Sequence, residues 1–458
     1  MKIRISFRDL AGYGVGGLVA DGLAARGLAA GAFVISLVIG CSGTNESATD
    51  SELSDSSALG IESVAMSRDR GCSSACSTSA DCRFGEFCWL SECVRLRQLD
   101  AGNHQACAVT TAGSVQCWGS NQNGELGNGH TALNGEPLGP VVGLTSGISD
   151  VETAGQGSKA TFSHTCALAV TGTVSCWGWN VFGQLGDGTT TDSYVPVAVK
   201  GLANVREIGV AALHTCSITN KHGVVCWGAN SHGQLGNETT TDSLSPVAVS
   251  GLSSGVRSLA LGDGGSSCAL TLSGKVLCWG ENRSGQLGNG TTSDTSLPQQ
   301  VSGIPPVSAL STGLDHTCAV TTTGALYCWG HNAFGQLGDG TTTSTTSPVL
   351  VSGLSAVASV SAGGYFTCAV TKKGAAFCWG SNQVGALGNG SNVSQSLVPI
   401  AVSGLSSGVT SVSAATLHAC ALTRSGHALC WGYNNFLELG AGISDPYFSN
   451  VPLPVAEP

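Results

Sequence analysis

His316 to Gly340 reads HTCAVTTTGALYCWGHNAFGQLGDG. A Cys is followed ten residues later by a second Cys, then by Trp-Gly, then by Gly-Gln-Leu-Gly. The arrangement is written seven times, with cysteine pairs at Cys107/Cys117, Cys166/Cys176, Cys216/Cys226, Cys268/Cys278, Cys318/Cys328, Cys368/Cys378 and Cys420/Cys430. The tryptophans that follow, from Trp118 to Trp431, are spaced by 59, 50, 52, 50, 50 and 52 residues. Self-similarity at that period is the signature of a repeat architecture.

Within this copy TCAVT alternates and is β-prone, Thr322-Thr323-Gly324 supplies a turn, and ALYCWG is the return strand. That is a β-hairpin. Cys318 and Cys328 flank its loop symmetrically and are expected to face each other across the ladder. Non-hydrogen-bonded antiparallel pairs bring Cα atoms to about 4.5 Å, within disulfide reach. Seven such placements predict seven disulfides, each closing a short loop and so adding modestly to stability. The other reading, seven pairs of buried free thiols, is disfavoured by the export signal described below.

Another strand lies upstream of each hairpin, such as Val357 to Ala362 or Val409 to Ala414, and before it a Pro-Val strand, as at Pro196–Val199, Pro246–Val249 and Pro348–Val351. Four short strands per repeat make the blade of a β-propeller. The expected fold is therefore all-β, a seven-bladed β-propeller with four-stranded blades. Arg95 to Gly119 offers three strands of a first blade, and Pro452–Val455 is a Pro-Val strand with no hairpin after it. The C-terminal strand is accordingly expected to join the first blade and close the ring, covering its open edges. The Leu of each Gly-Gln-Leu-Gly turn is expected to pack between neighbouring blades.

The combination of Gly-x-x-His-Thr-Cys-Ala-Leu, Cys-Trp-Gly-x-Asn and Gly-Gln-Leu-Gly-x-Gly resembles the regulator of chromosome condensation repeat family, over residues 95–458. The resemblance implies a seven-bladed propeller working through protein contacts at its faces. The eukaryotic founder is a guanine-nucleotide exchange factor that binds chromatin, but no residue of this chain matches an exchange-factor contact. A secreted bacterial propeller that clamps β-lactamases with one face is the nearer functional analogy, although fold does not fix function.

The 458 residues exceed the usual length of one domain, as propellers routinely do. Charged residues are 10% of the chain, against about a quarter in ordinary domains. Gly is abundant at 66 residues, which suits short strands joined by tight turns. A formal net charge of -10 argues against nucleic acid as a partner, because phosphates call for clustered Lys and Arg. No Gly-x-Ser-x-Gly, His-Glu-x-x-His or P-loop occurs, so no enzymatic activity, catalytic residue or cofactor is expected. Twenty regularly spaced cysteines point to an oxidising compartment.

The N-terminus opens with Lys2, Arg4 and Arg8, and Gly27 to Gly40 runs without a charge. As a helix that run would span about 21 Å, short of a bilayer core, so it suits the apolar region of a signal peptide. Val38-Ile39-Gly40-Cys41 resembles a bacterial lipobox, with Cys41 as the lipidated residue and Ser42 favouring the outer membrane. The expected organisation is a signal peptide at 1–40, a disordered Ser/Thr-rich linker at 41–70, a small cysteine-rich disulfide module at 71–94 and the propeller at 95–458. The small module contains Cys72, Cys76, Cys82, Cys88 and Cys93. A zinc site there is the competing reading, but the segment has no His.

Trp179, Phe182, Phe334, Tyr433 and Phe436 stand where other copies carry Ser, Ala, Gln or Val. Aromatics that break a repeat on a loop-rich face are candidate binding anchors; the competing reading is packing between blades. His164, His214, His316 and His418 each stand two residues before a hairpin's first Cys, with His104 near the matching place. They read as a repeated structural hydrogen bond within the blade in preference to a metal ring, and no metal site is assigned. Asp187, Asp192, Asn237 and Asp242 read as turn caps, since they lack the alternating acids of calcium loops. Gly155 to Ser158 is expected to be an extended loop. The expected function is a non-enzymatic interaction module at the cell surface or in the envelope, held to the membrane by lipid and binding a protein or glycan through one face. The alternatives are exchange-factor-like activity, by resemblance, and an extracellular propeller hydrolase, which needs carboxylates converging at glycosidase spacing.

Overall fold

The computed structural model describes residues 87–89, 92–156, 162–442 and 447–455. Cys41, the segments 1–40 and 41–70, and most of 71–94 lie outside the described residues. Two short antiparallel strands, Phe87–Trp89 and Glu92–Val94, bring Cys88 opposite Cys93.

Seven sheets of four antiparallel strands follow, at residues 96–140, 148–198, 205–248, 256–300, 307–350, 357–401 and 409–454. They are numbered blades 1 to 7 below. In each, the chain runs outward: an inner strand, the two strands of the Cys hairpin, then an outer strand. In blade 5, Val307–Thr312 is inner, His316–Thr321 and Leu326–Gly330 form the hairpin, and Thr345–Leu350 is outer. The hairpin cysteines are directly opposed, as in Cys318↔Cys328. All seven expected bridges are present. Cys107 is bonded to Cys117, Cys166 to Cys176, Cys216 to Cys226 and Cys268 to Cys278. Cys318 is bonded to Cys328, Cys368 to Cys378 and Cys420 to Cys430. Their Cα atoms lie 4.0–4.1 Å apart, slightly closer than the 4.5 Å or so of a generic pair in such a ladder.

The expected closure by the C-terminal strand is corrected. Phe448–Pro454 pairs with Ala428–Tyr433 of its own hairpin and completes blade 7. Blade 1 receives its outer strand from Ala132–Pro140, which pairs Cys117 with Gly139. That strand reads ALNGEPLGP, a disguised form of the Pro-Val strand, and the Pro-Val strand follows its hairpin where the repeat phase chosen above placed it before. No described strand crosses the seam between blades 7 and 1. It is held instead by Leu96 N donating to Gly426 O, by Ala101 N donating to Ser413 Oγ, and by the Trp118 indole donating to Glu438 O. Gly155 and Gln156 also depart from expectation: they extend the inner strand of blade 2 in place of a loop.

The hydrophobic core is seven slabs, one between each pair of neighbouring blades. In one slab Val320, Leu326, Leu337 and Val351 of blade 5 meet Val357, Ala369 and Trp379 of blade 6. The turn leucine thus packs between blades, as its repetition predicted. All seven tryptophans are 0% exposed. Burying one removes about 150–250 Å² from water, a transfer gain of about 4–6 kcal/mol. Each indole N–H also finds an acceptor in the Gly-Gln-Leu-Gly turn of the preceding blade: Trp379 donates to Gln336 O at 2.9 Å. Gly338 in that turn has φ +68°, and a Cβ on it would lie 2.6 Å from the Trp379 indole nitrogen. Tryptophan and glycine therefore specify each other across the blade boundary.

Candidate binding face

The residue after each Trp-Gly and the residue before each hairpin's buried first position lie at the same end of every blade, tied by a backbone hydrogen bond. Trp179 N donates to Ser163 O, His331 N to Asp315 O, Ser381 N to Tyr365 O and Tyr433 N to Leu417 O. The repeat geometry thus puts all candidate aromatics on one face. They form three clusters. In blade 2, Trp179 lies 4.5 Å from Phe162 and 5.6 Å from Phe182, ring centre to ring centre, the latter edge-on. Across blades 5 and 6, Phe334 lies 5.3 Å from Tyr365, with His331 6.4 Å from both. Across blades 7 and 1, His104 lies 5.7 Å from Tyr433 and 5.2 Å from Phe436.

These are favourable separations for aromatic pairs. Trp179, Phe182, Phe334, Tyr365, Tyr433 and Phe436 are half-buried, and Phe162 is 39% exposed. Two clusters do bridge blades, so packing and exposure coexist at the same side chains. Their backbones are held from below. Gln184 Oε1 accepts the Phe182 N–H at 3.0 Å and Gln336 Oε1 that of Phe334 at 3.1 Å. At the seam the corresponding Gln is Glu438, whose carboxylate accepts the Phe436 N–H at 2.8 Å and meets His104 Nδ1 at 3.0 Å. Burial, with Glu438 beside it, raises the Tyr433 phenol above its usual pKa. Between the clusters lie Glu281 and Asp315, both raised above the usual carboxylate range, chiefly by burial.

The bridged cysteines are structural and offer nothing to a partner. The second cysteine of each hairpin, Cys117, Cys176, Cys226, Cys278, Cys328, Cys378 or Cys430, is buried in the blade and tied to the first. Neither thiolate chemistry nor metal ligation is open to them in that state.

Phe162, His331 and Tyr365 were missed by the sequence reading, and His104 was read with the hairpin histidines and not with the aromatics. Tyr365 carried a usable signal: it stands where other copies have Asp315, Gly265 or Leu417, beside the position of Phe334 once neighbouring blades are laid together.

The histidine ring has another role. His164 Nε2 meets Thr215 Oγ1 at 2.7 Å, His214 Nε2 meets Ser267 Oγ at 2.8 Å and His316 Nε2 meets Thr367 Oγ1 at 2.8 Å. These bonds run from one blade to the next, not within a blade as expected. Burial lowers each of these histidines to a pKa of about 3, so the ring is neutral. Asp187 Oδ1 caps the Thr189 N–H, while Asp192 and Asp242 accept the N–H groups of Asn180 and Asn230, so these acids are turn caps. Among the described residues no three His, Cys, Asp or Glu side chains converge as metal ligands would.

Seven contiguous blades, each locked to the next by a tryptophan, define a β-propeller built of one repeated unit. The chain belongs to the Regulator of chromosome condensation (RCC1) repeat family. Matches to it cover residues 171–218, 222–269, 273–320, 323–370 and 373–422, more than half of the chain. A second form of the repeat adds 97–125 and 409–436 among others. Among curated proteins the chain is 31% identical over 210 residues to the Ultraviolet-B receptor UVR8 of Arabidopsis thaliana, covering 45% of this chain and 46% of the receptor. It is 31% identical over 217 residues to the human probable E3 ubiquitin-protein ligase HERC4, of which it covers 20%. The chain thus spans half or less of the length of these relatives. Among solved structures it superposes on human WBSCR16 with a TM-score of 0.66 at 26% identity, covering 74% of this chain and 93% of that one. Prp20p of Saccharomyces cerevisiae, described with its binding to Gsp1p and histones, shares the fold with a TM-score of 0.65 at 21% identity, covering 80% and 88%.

Proposed function

We propose that this propeller is a non-enzymatic interaction module that docks a protein partner through the face carrying the three aromatic clusters. The single observation that carries the reading is the placement of half-buried aromatics, off the repeat consensus, at one end of three blade positions. Rigid aromatics of this kind dominate interface energetics because they bury much surface at little entropic cost. A protein is preferred to a glycan because relatives in the family, such as Prp20p, bind proteins. The seven disulfides are consistent with an exported or extracellular protein. In this reading Cys41 carries the lipid anchor, and residues 41–70 and 71–94 serve as stalk and small disulfide module.

The hydrolase alternative has one observation in its favour, a group of carboxylates in the central channel. Asp100, Asp150, Glu152, Glu207 and Asp263 are all raised in pKa, each mainly by burial. A general acid and a nucleophile need environments that push two carboxyls apart, and five moved in one direction do not supply that pair.

The test is affinity capture from the envelope fraction with the full chain and with Trp179→Ala/Phe182→Ala. Capture of a defined partner should fall at least about tenfold in the double variant, the loss typical of an interface hot spot. A rim variant, Leu272→Ala, should leave it intact. Equal capture by all three would remove the face from consideration. Intact mass of wild type and of Cys41→Ser reports separately on the lipid.

A further inference from the structure

The end of the ring opposite the aromatic clusters has a chemistry of its own. In every blade the first residue of the hairpin turn donates its N–H to the residue before the inner strand. Val170 N donates to Gly147 O, Asn220 N to Asn204 O, Leu272 N to Gly255 O, Lys372 N to Ala356 O and Arg424 N to Gly408 O. All seven hairpin turns and all seven inner-strand starts therefore lie at one end.

Cations collect there. Lys221, Lys372, Lys373 and Arg424 stand on hairpin turns and Lys275 closes one; all are exposed, and among the described residues none is in an ion pair. Arg97, Arg206 and Arg257 hold the second position of the inner strands of blades 1, 3 and 4, where the register slips by one residue and the side chain is left exposed. Among the described residues the hairpin turns and the connections between blades carry no Asp or Glu. Asp150 and Glu207, two residues into their strands, line the channel. The aromatic end has the opposite balance. Asp192, Asp242 and Asp294 cap Asn180, Asn230 and Asn282 there, and its Arg283 is paired with Glu281 at 3.2 Å. A net charge of -10 thus conceals two ends of opposite sign.

The same end exposes aliphatic side chains. Val170 is 70% exposed and Leu272 61%, at the turn position that Lys372 and Arg424 hold in blades 6 and 7. Val142, on the connection from blade 1 to blade 2, is 49% exposed. Cations interleaved with aliphatics over a broad end suit a bilayer surface. Apolar tips enter the boundary between headgroups and acyl chains, while ammonium and guanidinium groups meet lipid phosphates. A nucleic acid would engage the cations and leave the aliphatics in water. The chain also enters the ring at this end: Leu96 N donates to Gly426 O on the hairpin turn of blade 7, and Thr111 N to Arg95 O.

We propose that the hairpin-turn end of the propeller docks on an anionic phospholipid surface and so turns the aromatic face away from the membrane. The Lys and Arg side chains attract the surface, and the acids at the other end oppose docking the wrong way round. The contact needs neither the lipid on Cys41 nor the aromatic clusters, so it and the partner-docking reading fail separately. Where Cys41 is lipidated, the chain reaches the ring at the end that meets the membrane.

The experiment mixes the full chain with vesicles of phosphatidylcholine, alone or with about 30% phosphatidylglycerol, and follows acetylation of each lysine by mass spectrometry. The anionic vesicles should slow acetylation of Lys221, Lys275, Lys372 and Lys373 at least about fivefold relative to the neutral ones. The protection should vanish in about 1 M NaCl, where the screening length is about 3 Å. Each Lys or Arg at an anionic surface strengthens binding about fivefold, so Lys372→Gln/Lys373→Gln should need at least about tenfold more anionic lipid for half-maximal cosedimentation. Arg283→Gln, at the aromatic end, should behave as wild type. Residues 1–94 are common to every protein compared, so a difference among them belongs to the ring. Equal protection by neutral vesicles, or equal cosedimentation of the lysine variant, would overturn the surface. Duplex DNA protecting the four lysines where anionic vesicles do not would assign this end to a nucleic acid and overturn the membrane.

Discussion

His418 sits fully buried with no hydrogen-bond partner at either ring nitrogen. Its counterparts in blades 2, 3 and 5 reach a Thr or Ser on the next blade, but the next blade here is blade 1, and Ala106 holds that position. Blade 6 resolves the same problem differently: Phe366 replaces the His and packs with Ala419. His418→Phe should therefore stabilise the protein by about 1 kcal/mol or more at pH 7.5, by removing unsatisfied buried nitrogens. The gain should grow in acid. Burial lowers His418 to about 3, whereas the unfolded residue titrates near 6.5. Below pH 6.5 the unfolded chain takes up a proton that the fold refuses, so wild-type stability is present above 6.5 and lost as pH falls toward 3. The variant escapes that loss, by about 1.4 kcal/mol per pH unit. Urea unfolding at pH 7.5 and pH 5 checks both parts; an equal gain at the two values would mean that His418 is not held neutral. At this scale the sequence displayed the aromatics of the face, because they interrupt a consensus. It hid the channel acids, since Asp100, Glu152 and Glu207 are single residues in separate repeats that only ring closure assembles.

The hairpin was the most legible element. Symmetric cysteines about a Gly turn allowed one register, and the structure has it in every blade. A disulfide across so short a loop removes about 2–3 kcal/mol of chain entropy from the unfolded state. Blade stability depends on the blade itself and its two neighbours, as in other repeat arrays. Cys318→Ala/Cys328→Ala should thus cost about 2–3 kcal/mol and lower the melting temperature by a few degrees, with the other six bridges formed. Every bridged cysteine is 0–1% exposed. Reduction by dithiothreitol in native buffer should therefore keep pace with unfolding, not with reagent concentration, a point that timed alkylation and intact mass would decide. The outer strand was less legible. It is defined by what it must avoid, since it carries the sheet's free edge. Pro140, Pro196, Pro246, Pro298, Pro348, Pro399 and Pro452 all lie on it, removing donors that would invite a second sheet. In blade 1 Leu138-Gly139 stand in the Pro-Val register and Pro140 comes two residues later, and so its outer strand escaped the pattern.

At the scale of the ring, seven copies made the blade number plain while the seam was misread, because a repeat period is the same whichever strand is taken as first. The observed phase has a consequence for the chain ends. Val455 N donates to Ala428 O at 3.1 Å and Leu96 N to Gly426 O at 3.2 Å, so the two ends of the ring meet at one hairpin turn. Blades 2 and 3 are joined by the same geometry: Val199 N donates to Val174 O at 3.1 Å and Val205 N to Gly172 O at 2.9 Å. There the five residues Lys200–Asn204 make the connection. A copy of that segment should therefore link Val455 to Leu96 without strain. New ends can be opened between Ser302 and Gly303, where the backbone is exposed and a Cβ on the glycine would touch nothing within 4 Å. Exposed connections of this kind tolerate new termini. The permuted 96–455 chain should fold with seven disulfides by mass and melt within about 5 °C of the unpermuted 96–455 chain, since no blade is divided and the altered loops contribute little to the core. Scrambled disulfides or aggregation in the permutant, with the unpermuted fragment intact, would mean that the seam between blades 7 and 1 differs from the other six.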